Sequence, residues 1–265
     1  MPIKVPSKLP AKKQLEVEQV QLISSDTALR QDIRPMKVLL LNLMPRKRDT
    51  EIQFARLLGN SPLQIELTLM TTASYQPKNE EITYLNEFYY TLDEIKNNFY
   101  DALIITGAPV ETLPFEEVAY WKELVNIIEW SNTHVFQRIG ICWGAQALLY
   151  HQFQIPKYSL KDKIFGIFSH QINQAKLRLM QGFTDNFPMP VSRHTETKIS
   201  DIKKYSQFDI LGYSERAGIG MIINNNNDDF FIFNHLEYDF DTLHKEYKRD
   251  IKTNQKILMP ENYYP

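Results

Sequence analysis

A strand, a sharp turn and a helix are predicted around Cys142. The apolar run from Val135 to Ile141 leads into the cysteine, and the residues from Ala145 to Leu149 are typical of a helix. In the pattern Gly-x-Cys-x-Gly, Gly140 and Gly144 leave room for a tight turn, which is the geometry of a nucleophile elbow. The following helix points its free N–H groups and positive dipole end at the sulfur, and this favours the thiolate.

Cys142 is the only cysteine among the 265 residues. A lone cysteine is often a small buried core residue, but a structural thiol does not need an elbow. The position between strand and helix therefore favours a catalytic nucleophile. A single cysteine also excludes an intramolecular disulfide framework and metal sites built from several cysteines.

A thiol nucleophile needs a base, and the base needs a group that orients it. An aromatic-rich strand runs from Phe230 into His235, and Glu237 follows two residues later. In an extended segment, residues two apart point to the same side, so the carboxylate can hold the imidazole in one tautomer. A surface histidine beside a surface glutamate is the alternative for this pair alone. Together with the elbow, the pair predicts a Cys142–His235–Glu237 triad.

Composition narrows the function classes. The 30 basic and 32 acidic residues are well mixed and leave a net charge of -2, so nucleic acid and anionic membranes are not expected partners. No apolar run approaches the roughly 20 residues of a membrane span, and the start of the chain lacks the apolar core of a signal peptide. We expect a cytoplasmic protein. We expect no metal, because no spacing brings two ligands onto one face among the other histidines, which are His134, His151, His170, His194 and His244.

The order of elements predicts an α/β fold. Strand-like and helix-like segments alternate between residues 37 and 153, which predicts a mostly parallel sheet with helices on both faces. Residues 1–35 are expected to form an arm packed on the body, and residues 36–265 a single catalytic domain. The stretch from Tyr75 to Tyr90 is predicted to be a long loop. A helix is predicted from Thr50 to Leu58, with Ile52, Ala55 and Leu58 on its apolar face.

The pattern changes after Pro156. Short strands are predicted at residues 163–170, 209–213 and 218–223. The polar run from Asn224 to Asp229 is predicted to be the turn of a hairpin whose second strand reaches His235. A final helix is predicted from Asp241 to Lys252.

The chain resembles a known family. The elbow with its His-x-Glu pair is similar to the class I glutamine amidotransferase-like fold, and the fuller match is to the homoserine O-acyltransferase family of methionine biosynthesis, in its single-cysteine, amidotransferase-like branch. The resemblance covers nearly the whole chain. The runs that carry it are Met36-Lys37-Val38-Leu39-Leu40-Leu41-Asn42-Leu43-Met44-Pro45, Thr106-Gly107-Ala108-Pro109-Val110-Glu111, Gly140-Ile141-Cys142-Trp143-Gly144-Ala145-Gln146, Ser192-Arg193-His194-Thr195 and Asn234-His235-Leu236-Glu237-Tyr238.

The resemblance implies a two-step acyl transfer with L-homoserine and acetyl-CoA as substrates and no bound cofactor. An acyl group would pass from coenzyme A to Cys142 and then to the homoserine hydroxyl, with His235 as the acid and base. The resemblance further implies oxyanion-binding N–H groups at Gly107–Ala108 and at Trp143. An ordinary turn is the alternative reading of Gly107. A homodimer is also implied.

Three substrate-binding residues are implied by the resemblance alone. They are Lys163 and Arg249, which would bind the polar ends of the ligands, and Ser192, which would contact a hydroxyl or amine. The residues themselves favour plainer interpretations, because Arg249 lies on a charged helix face that would normally be solvated, and most lysines at a loop–strand junction only extend into water.

The resemblance also implies that the residue at position 111 selects the acyl group. In the family a small residue there accompanies succinyl-CoA and a glutamate accompanies acetyl-CoA, and this chain has Glu111. A carboxylate about 4 Å away would repel a succinyl carboxylate by roughly 1–4 kcal/mol for effective dielectric constants of about 80 to 20. We therefore expect acetyl transfer. Glu111 as a surface loop acid, succinyl transfer, a glutamine amidotransferase-type cysteine hydrolase and a non-catalytic interaction module are the alternatives.

Overall fold

The protein divides into two compact units. The computed structural model describes residues 3–6, 8–20, 22–23, 34–74, 82–173, 178–253 and 257–265. One unit comprises residues 1–109 and 115–138, and the other comprises residues 110–114 and 139–265. Each unit is described by its own strands and helices.

The described strands of the first unit pair in parallel. Their order is β2-β1-β4-β3-β6, and β5 also pairs with β4. β3 pairs with β4 on one side and β6 on the other, and its run Val38–Leu41 is buried, as expected for a strand that is covered on both faces. The strands are β1 (Ile3–Lys4), β2 (Leu22–Ile23), β3 (Met36–Leu41), β4 (Ile65–Met70), β5 (Tyr89–Tyr90) and β6 (Tyr100–Ile105).

The helices of the first unit correct two sequence predictions. They are α1 (Ala11–Val17), α2 (Lys47–Gly59), α3 (Ile82–Phe88), α4 (Leu92–Ile95) and α5 (Trp121–His134), with a 3₁₀ turn at Phe115–Glu117. The predicted long loop is wrong at α3, because Tyr84, Leu85 and Phe88 are buried and hold that segment as a helix. Its residues 75–81 lie outside the described residues.

The apolar face predicted for α2 is only partly right. Ala55 is buried, but Ile52 is half-buried, and the fully buried face includes the charged side chain of Glu51. That carboxylate accepts hydrogen bonds from the hydroxyls of Tyr84, at 2.7 Å, and Tyr89, at 2.5 Å. A buried charge is tolerated when hydrogen bonds satisfy it, so the polar face points inward.

The second unit changes from parallel to antiparallel pairing. β7 pairs in parallel with β12 through its last three residues, and the ladders from β12 through β11, β10 and β8 to β9 are antiparallel. The predicted hairpin is confirmed, because β11 and β12 flank the polar turn. The strands are β7 (Val135–Ile141), whose residues from Ile139 onward belong to this unit, β8 (Tyr158–Ile172), β9 (Asn186–Glu196), β10 (Phe208–Ser214), β11 (Gly218–Asn224) and β12 (Phe230–Ile232).

The helices of the second unit are α6 (Trp143–Phe153), α7 (Ile199–Ile202) and α8 (Thr242–Lys252), with a 3₁₀ turn at residues 178–180. Two of these helices lie at predicted site residues: α6 follows Cys142, and α8 contains Arg249. α6 follows Cys142 directly, as the sequence predicts, and α8 lies within one residue of the predicted final helix. Among the described residues, no helix combines the length and apolar character needed to cross a membrane.

Gly140 allows the start of α6 to approach β7 closely. A Cβ at this position would lie 2.6 Å from Cα and 2.8 Å from N of Ala145. Those are backbone atoms of α6, so they cannot move aside as the end of a side chain can. The absence of a side chain at residue 140 therefore helps to set the height of Cys142 above the sheet.

We predict that Gly140→Ala destabilises the protein by about 1–3 kcal/mol, the usual cost of overpacking a buried site. Gly212→Ala is the matched control, because its Cβ would meet only side-chain atoms of Phe187, at 3.2 Å, and Met221, at 3.4 Å. Urea denaturation of both variants measures the difference. An equal loss of unfolding free energy in the two variants would show that the close approach of α6 to residue 140 does not exclude a side chain there.

Candidate active site

Cys142 lies at the apex of the turn between β7 and α6. Its φ of 50° and ψ of -114° are rare for a residue with a side chain, and such strained conformations concentrate at functional sites. The Cys142 N–H donates a 2.7 Å hydrogen bond to the carbonyl of Ile232, which ties the elbow to β12. The residue is buried, with 8% of its surface exposed.

His235 and Glu237 lie just beyond β12 and contact each other. Their Nδ1 and Oε1 atoms are 2.6 Å apart, and both side chains are buried. The Nδ1 atom is engaged by Glu237, and Cys142 lies near enough to His235 to raise the pKa of the imidazole, so Nε2 is the ring nitrogen left for the thiol. The structure therefore brings together the three side chains that the sequence places in one triad.

The pKa of His235 reflects three opposing influences. Burial alone would lower it, but the charge of Glu237 and the interaction with Cys142 outweigh burial and hold the pKa well above the ordinary value of 6.5. The raised pKa favours the imidazolium form of His235. A protonated base beside a sulfur stabilises the thiolate that a nucleophile requires.

The backbone that carries His235 is fixed by buried polar groups. Asn234 is fully buried and donates to Nε2 of His170 at 2.9 Å, and its Oδ1 accepts from Arg193 at 3.4 Å. Burial lowers the pKa of His170 to about 4, so its neutral ring can accept that bond. The N–H of His235 donates to the carbonyl of Pro190 at 3.0 Å. These contacts hold the base in position before any substrate arrives.

Tyr238 and Glu246 extend the site, and the sequence analysis missed both. The Tyr238 ring stacks on His235 with centroids 4.2 Å apart and planes at 18°. Its hydroxyl donates to Oε1 of Glu246 at 2.6 Å, and the hydroxyl of Ser192 donates to Oε2 of Glu246 at 2.5 Å. Burial and the charge of Glu246 hold the Tyr238 pKa well above 10.0, which keeps the phenol protonated. The position of Tyr238, next to the His-x-Glu pair, was the available signal.

Lys163 is buried rather than extended into solvent. Its Nζ lies 3.0 Å from Asp250 Oδ2 and 3.8 Å from Glu246 Oε2, and it sits over the ring of Phe165 at 4.1 Å. The plainer interpretation of this lysine is therefore wrong. Arg249 keeps 58% of its side chain exposed while its guanidinium contacts Asp250 at 2.7 Å, so part of its donor set remains available to a ligand.

Glu111 lies in a short loop of the second unit, residues 110–114. Lys157 fixes this loop by donating to the carbonyl of Glu111 and, at 2.5 Å, to that of Leu113. Burial raises the Glu111 pKa, while the charges of Lys163 and His235 partly oppose that rise. Its carboxylate is 3.8 Å from Nε2 of His194 and is 16% exposed. Glu111 is therefore a covered acid that interacts electrostatically with the triad, not a surface loop acid.

The residues predicted to bind an oxyanion fall in both units. Gly107 and Ala108 follow β6 in the first unit, where Thr106 donates to the Gly107 carbonyl at 3.0 Å. Trp143 is the first residue of α6, where backbone N–H groups lack intrahelical partners. The oxyanion role of these residues stays a prediction. Within the described residues, no group of three His, Cys, Asp or Glu side chains could hold a metal ion.

Comparison with known proteins identifies the family. A family model described as homoserine O-succinyltransferase matches residues 2–265. The chain belongs to the homoserine O-succinyltransferase family.

Curated relatives match this member of the homoserine O-succinyltransferase family along its whole length. A protein from Lachnoclostridium phytofermentans is 50% identical over 265 residues, covering 100% of this chain and 88% of the relative. One from Clostridium beijerinckii is 49% identical over 264 residues, covering 100% of this chain and 87% of the relative. Both relatives are named homoserine O-acetyltransferase, so the family name and the relatives' names differ in the acyl group.

Solved structures similar to this family member include two that are named glutamine amidotransferases. One from Thermotoga maritima has a TM-score of 0.59 at 12% identity and covers 84% of this chain and 86% of that chain. One from Methylobacillus flagellatus has a TM-score of 0.54 at 12% identity, covering 88% and 81%. The predicted α/β fold of the class I glutamine amidotransferase type is confirmed. At such low identity the likeness concerns the fold alone.

We predict that Glu237→Gln destabilises the protein most on the acid side of neutrality. Because the folded-state pKa of His235 is raised, its protonated form adds stability that is fully present below about pH 6.5 and is lost as the pH rises through the raised pKa. Removing the buried partner charge should cost about 3–5 kcal/mol there. The measurement is the thermal denaturation midpoint of both proteins across a pH series. The midpoint of Glu237→Gln should approach that of the unmodified protein as the pH rises.

Glu215→Gln is the control for that series, since it removes an exposed carboxylate of the same unit. Its midpoint should stay close to that of the unmodified protein at every pH. A difference for Glu237→Gln that is constant or widens as the pH rises would contradict a raised His235 pKa.

Proposed function

We propose that the protein is a homoserine O-acetyltransferase, which moves the acetyl group of acetyl-CoA to the hydroxyl of L-homoserine in methionine biosynthesis. The observation that carries the proposal is the 2.6 Å contact of His235 with Glu237, together with the electrostatic interaction of His235 with Cys142 at the strained elbow. Family membership and the names of relatives about half identical to this chain support the substrates.

In the first half of the reaction the Cys142 thiolate attacks the thioester carbonyl of acetyl-CoA. Negative charge develops on the carbonyl oxygen, and the N–H of Trp143 at the start of α6 is a suitable donor for it. The C–S bond to coenzyme A then breaks, and the His235 imidazolium gives its proton to the leaving thiolate. The product is an acetyl thioester on Cys142, close in energy to the donor because one thioester replaces another.

In the second half His235 acts as a base. Its neutral Nε2 takes the proton of the homoserine hydroxyl while the oxygen attacks the acetyl carbonyl. The thiolate of Cys142 leaves, and the carboxylate of Glu237, still bonded to Nδ1, stabilises the positive charge of the imidazolium that has formed. One residue thus acts first as acid and then as base, which suits a group protonated in the resting enzyme.

Substrate contacts are proposed for Lys163, Ser192 and Arg249. A guanidinium can bind a carboxylate through two parallel hydrogen bonds, so Arg249 suits the carboxylate of homoserine. Its partial exposure supports this role, because donors directed away from Asp250 remain accessible. Ser192 supplies a hydroxyl, and Lys163 supplies a buried positive charge.

Glu111 is proposed to select the acetyl donor. Its covered carboxylate interacts electrostatically with His235 and Lys163, so it lies where a second carboxylate on the acyl chain would be repelled. The family name favours succinyl transfer as the second candidate. A glutamine amidotransferase-type hydrolase is the third, and only the fold supports it.

The assembly and cellular setting are also proposals. We propose a homodimer, in keeping with the family resemblance, and one catalytic domain from residue 36 onward. A cytoplasmic location suits the enzyme, because a reducing compartment keeps the Cys142 thiol free.

We predict that acetyl-CoA alone adds one acetyl group to the protein and that L-homoserine then removes it. Intact-mass measurement is unambiguous because Cys142 is the only thiol. Cys142→Ala is the control and should take up no acetyl group. Absence of an adduct on the unmodified protein, or release of ammonia from glutamine, would contradict acetyl transfer.

We predict that the unmodified protein prefers acetyl-CoA to succinyl-CoA. We also predict that Glu111→Gly raises kcat/KM for succinyl-CoA by roughly 5-fold or more, because it removes about 1–4 kcal/mol of repulsion. Steady-state rates with each donor at saturating homoserine measure the ratio. A preference for succinyl-CoA in the unmodified protein would overturn the choice of donor.

A further inference from the structure

β9 presents two neighbouring residues of the candidate site on one face. Its residues 191–196 alternate between buried and half-buried, so Ser192 and His194 point to the same side of the strand. The Ser192 hydroxyl donates to Glu246, whereas Nε2 of His194 lies 3.8 Å from Oε1 of Glu111. A histidine outside the triad therefore lies beside the carboxylate that is proposed to select the donor.

The loop that carries Glu111 is fixed through its backbone, but the carboxylate has no close cation. Lys157 donates to the carbonyls of Glu111 and Leu113. Among the residues that the structure describes, His194 is the one basic side chain within 4.0 Å of the Glu111 carboxylate. A separation of 3.8 Å is too long for a direct hydrogen bond. The effect of the His194 ring on Glu111 therefore depends on whether the ring carries a charge.

Lys163 is less well placed to cancel the charge of Glu111. Its Nζ lies 3.0 Å from Oδ2 of Asp250 and 3.8 Å from Oε2 of Glu246, so two carboxylates of α8 share its positive charge. Burial is the largest influence on the Glu111 pKa and raises it, and the charge of Lys163 opposes that rise only in part. His194 is the side chain that could supply a second positive charge.

Charged groups from three elements surround the His194 ring. They are Lys163 on β8, Glu111 in the loop 110–114, and Glu246, Arg249 and Asp250 on α8. Burial lowers the His194 pKa below the ordinary 6.5, and the charge of Lys163 lowers it further, while the two carboxylates of α8 act in the opposite direction. The lowered pKa favours the neutral ring, which leaves the charge of Glu111 uncompensated.

The two forms of His194 have different consequences for the two donors. With a neutral ring, the charge of Glu111 repels an acyl chain that ends in a carboxylate. An imidazolium at 3.8 Å would offset that charge at close range. An acetyl group carries no charge, so its use does not depend on this balance. The protonation of one ring therefore changes the ratio of the two donors.

We propose that His194 acts through Glu111 to set the donor choice, because protonation of its imidazole offsets the carboxylate charge that excludes a succinyl chain. His194 is thus a second specificity-determining residue, which has no contact with the reacting atoms. This inference rests on the proposed function, in which Glu111 selects the acetyl donor. A role in packing alone would affect both donors alike and would not depend on pH.

The test measures acyl-enzyme formation on Cys142 from acetyl-CoA and from succinyl-CoA in the full-length protein, without homoserine, between about pH 5.5 and 8. The donor ratio is the rate constant for succinyl-CoA divided by that for acetyl-CoA, so pH effects on the triad that both donors share cancel. In the unmodified protein this ratio should rise roughly threefold or more as the pH falls, because the imidazolium forms. In His194→Gln most of the rise should be lost. The remainder comes from protonation of Glu111 itself.

A double-mutant cycle shows whether His194 acts through Glu111. In Glu111→Gln the donor ratio should be raised and nearly independent of pH, since the charge on which His194 acts is gone. Adding His194→Gln to that variant should leave the ratio unchanged within about 1.5-fold. His151→Gln is the matched control, because it removes another half-buried histidine of the same unit, in the last turn of α6, and should keep the pH dependence of the unmodified protein.

Three outcomes would count against these assignments. A pH-independent donor ratio in the unmodified protein, or the same pH dependence in His194→Gln, would overturn the inference while acetyl transfer stands. An equal, pH-independent loss for both donors in His194→Gln would overturn it in favour of packing alone. Absence of an acyl-enzyme from either donor would instead overturn the proposed function.

Discussion

The buried contact between His235 and Glu237 is the interaction on which the site depends. Two groups with opposite charges are both removed from water here, and each is tolerable only because the other is 2.6 Å away. The charge of Glu237 and the interaction with Cys142 together outweigh the effect of burial and hold the His235 pKa well above its ordinary value. The raised pKa favours the imidazolium form, which can give its proton to the departing thiol.

Residues from distant parts of the second unit make hydrogen bonds that hold the segment carrying this pair. Asn234 is held by His170 and Arg193, while Tyr238 is stacked against the imidazole and bonded to α8. The base therefore cannot rotate freely, and orientation is supplied before the substrate binds. Preorganised groups of this kind reduce the reorganisation that the reaction itself requires.

α8 shows why the pattern of charges along a helix does not reveal which face is buried. Its run of charged residues is typical of a solvated helix, yet Asp250 is 3% exposed and holds the buried Lys163. Opposite charges from two elements meet and neutralise one another, so the polar face can turn inward. The same explanation applies to Glu51 of α2, which two tyrosine hydroxyls satisfy. In both helices the partner comes from elsewhere in the sequence.

Local sequence alone determined the elbow, the hairpin and the pairing of His235 with Glu237. These features depend on glycine spacing, period-2 alternation and residues two apart, all of which act over a few positions. Only the tertiary structure decided the burial of the Lys163 side chain and the position of Glu246 beside Ser192. The physical reason is that each of these contacts joins residues whose separation along the chain exceeds any local period, and burial of a charge depends on a partner that only folding supplies.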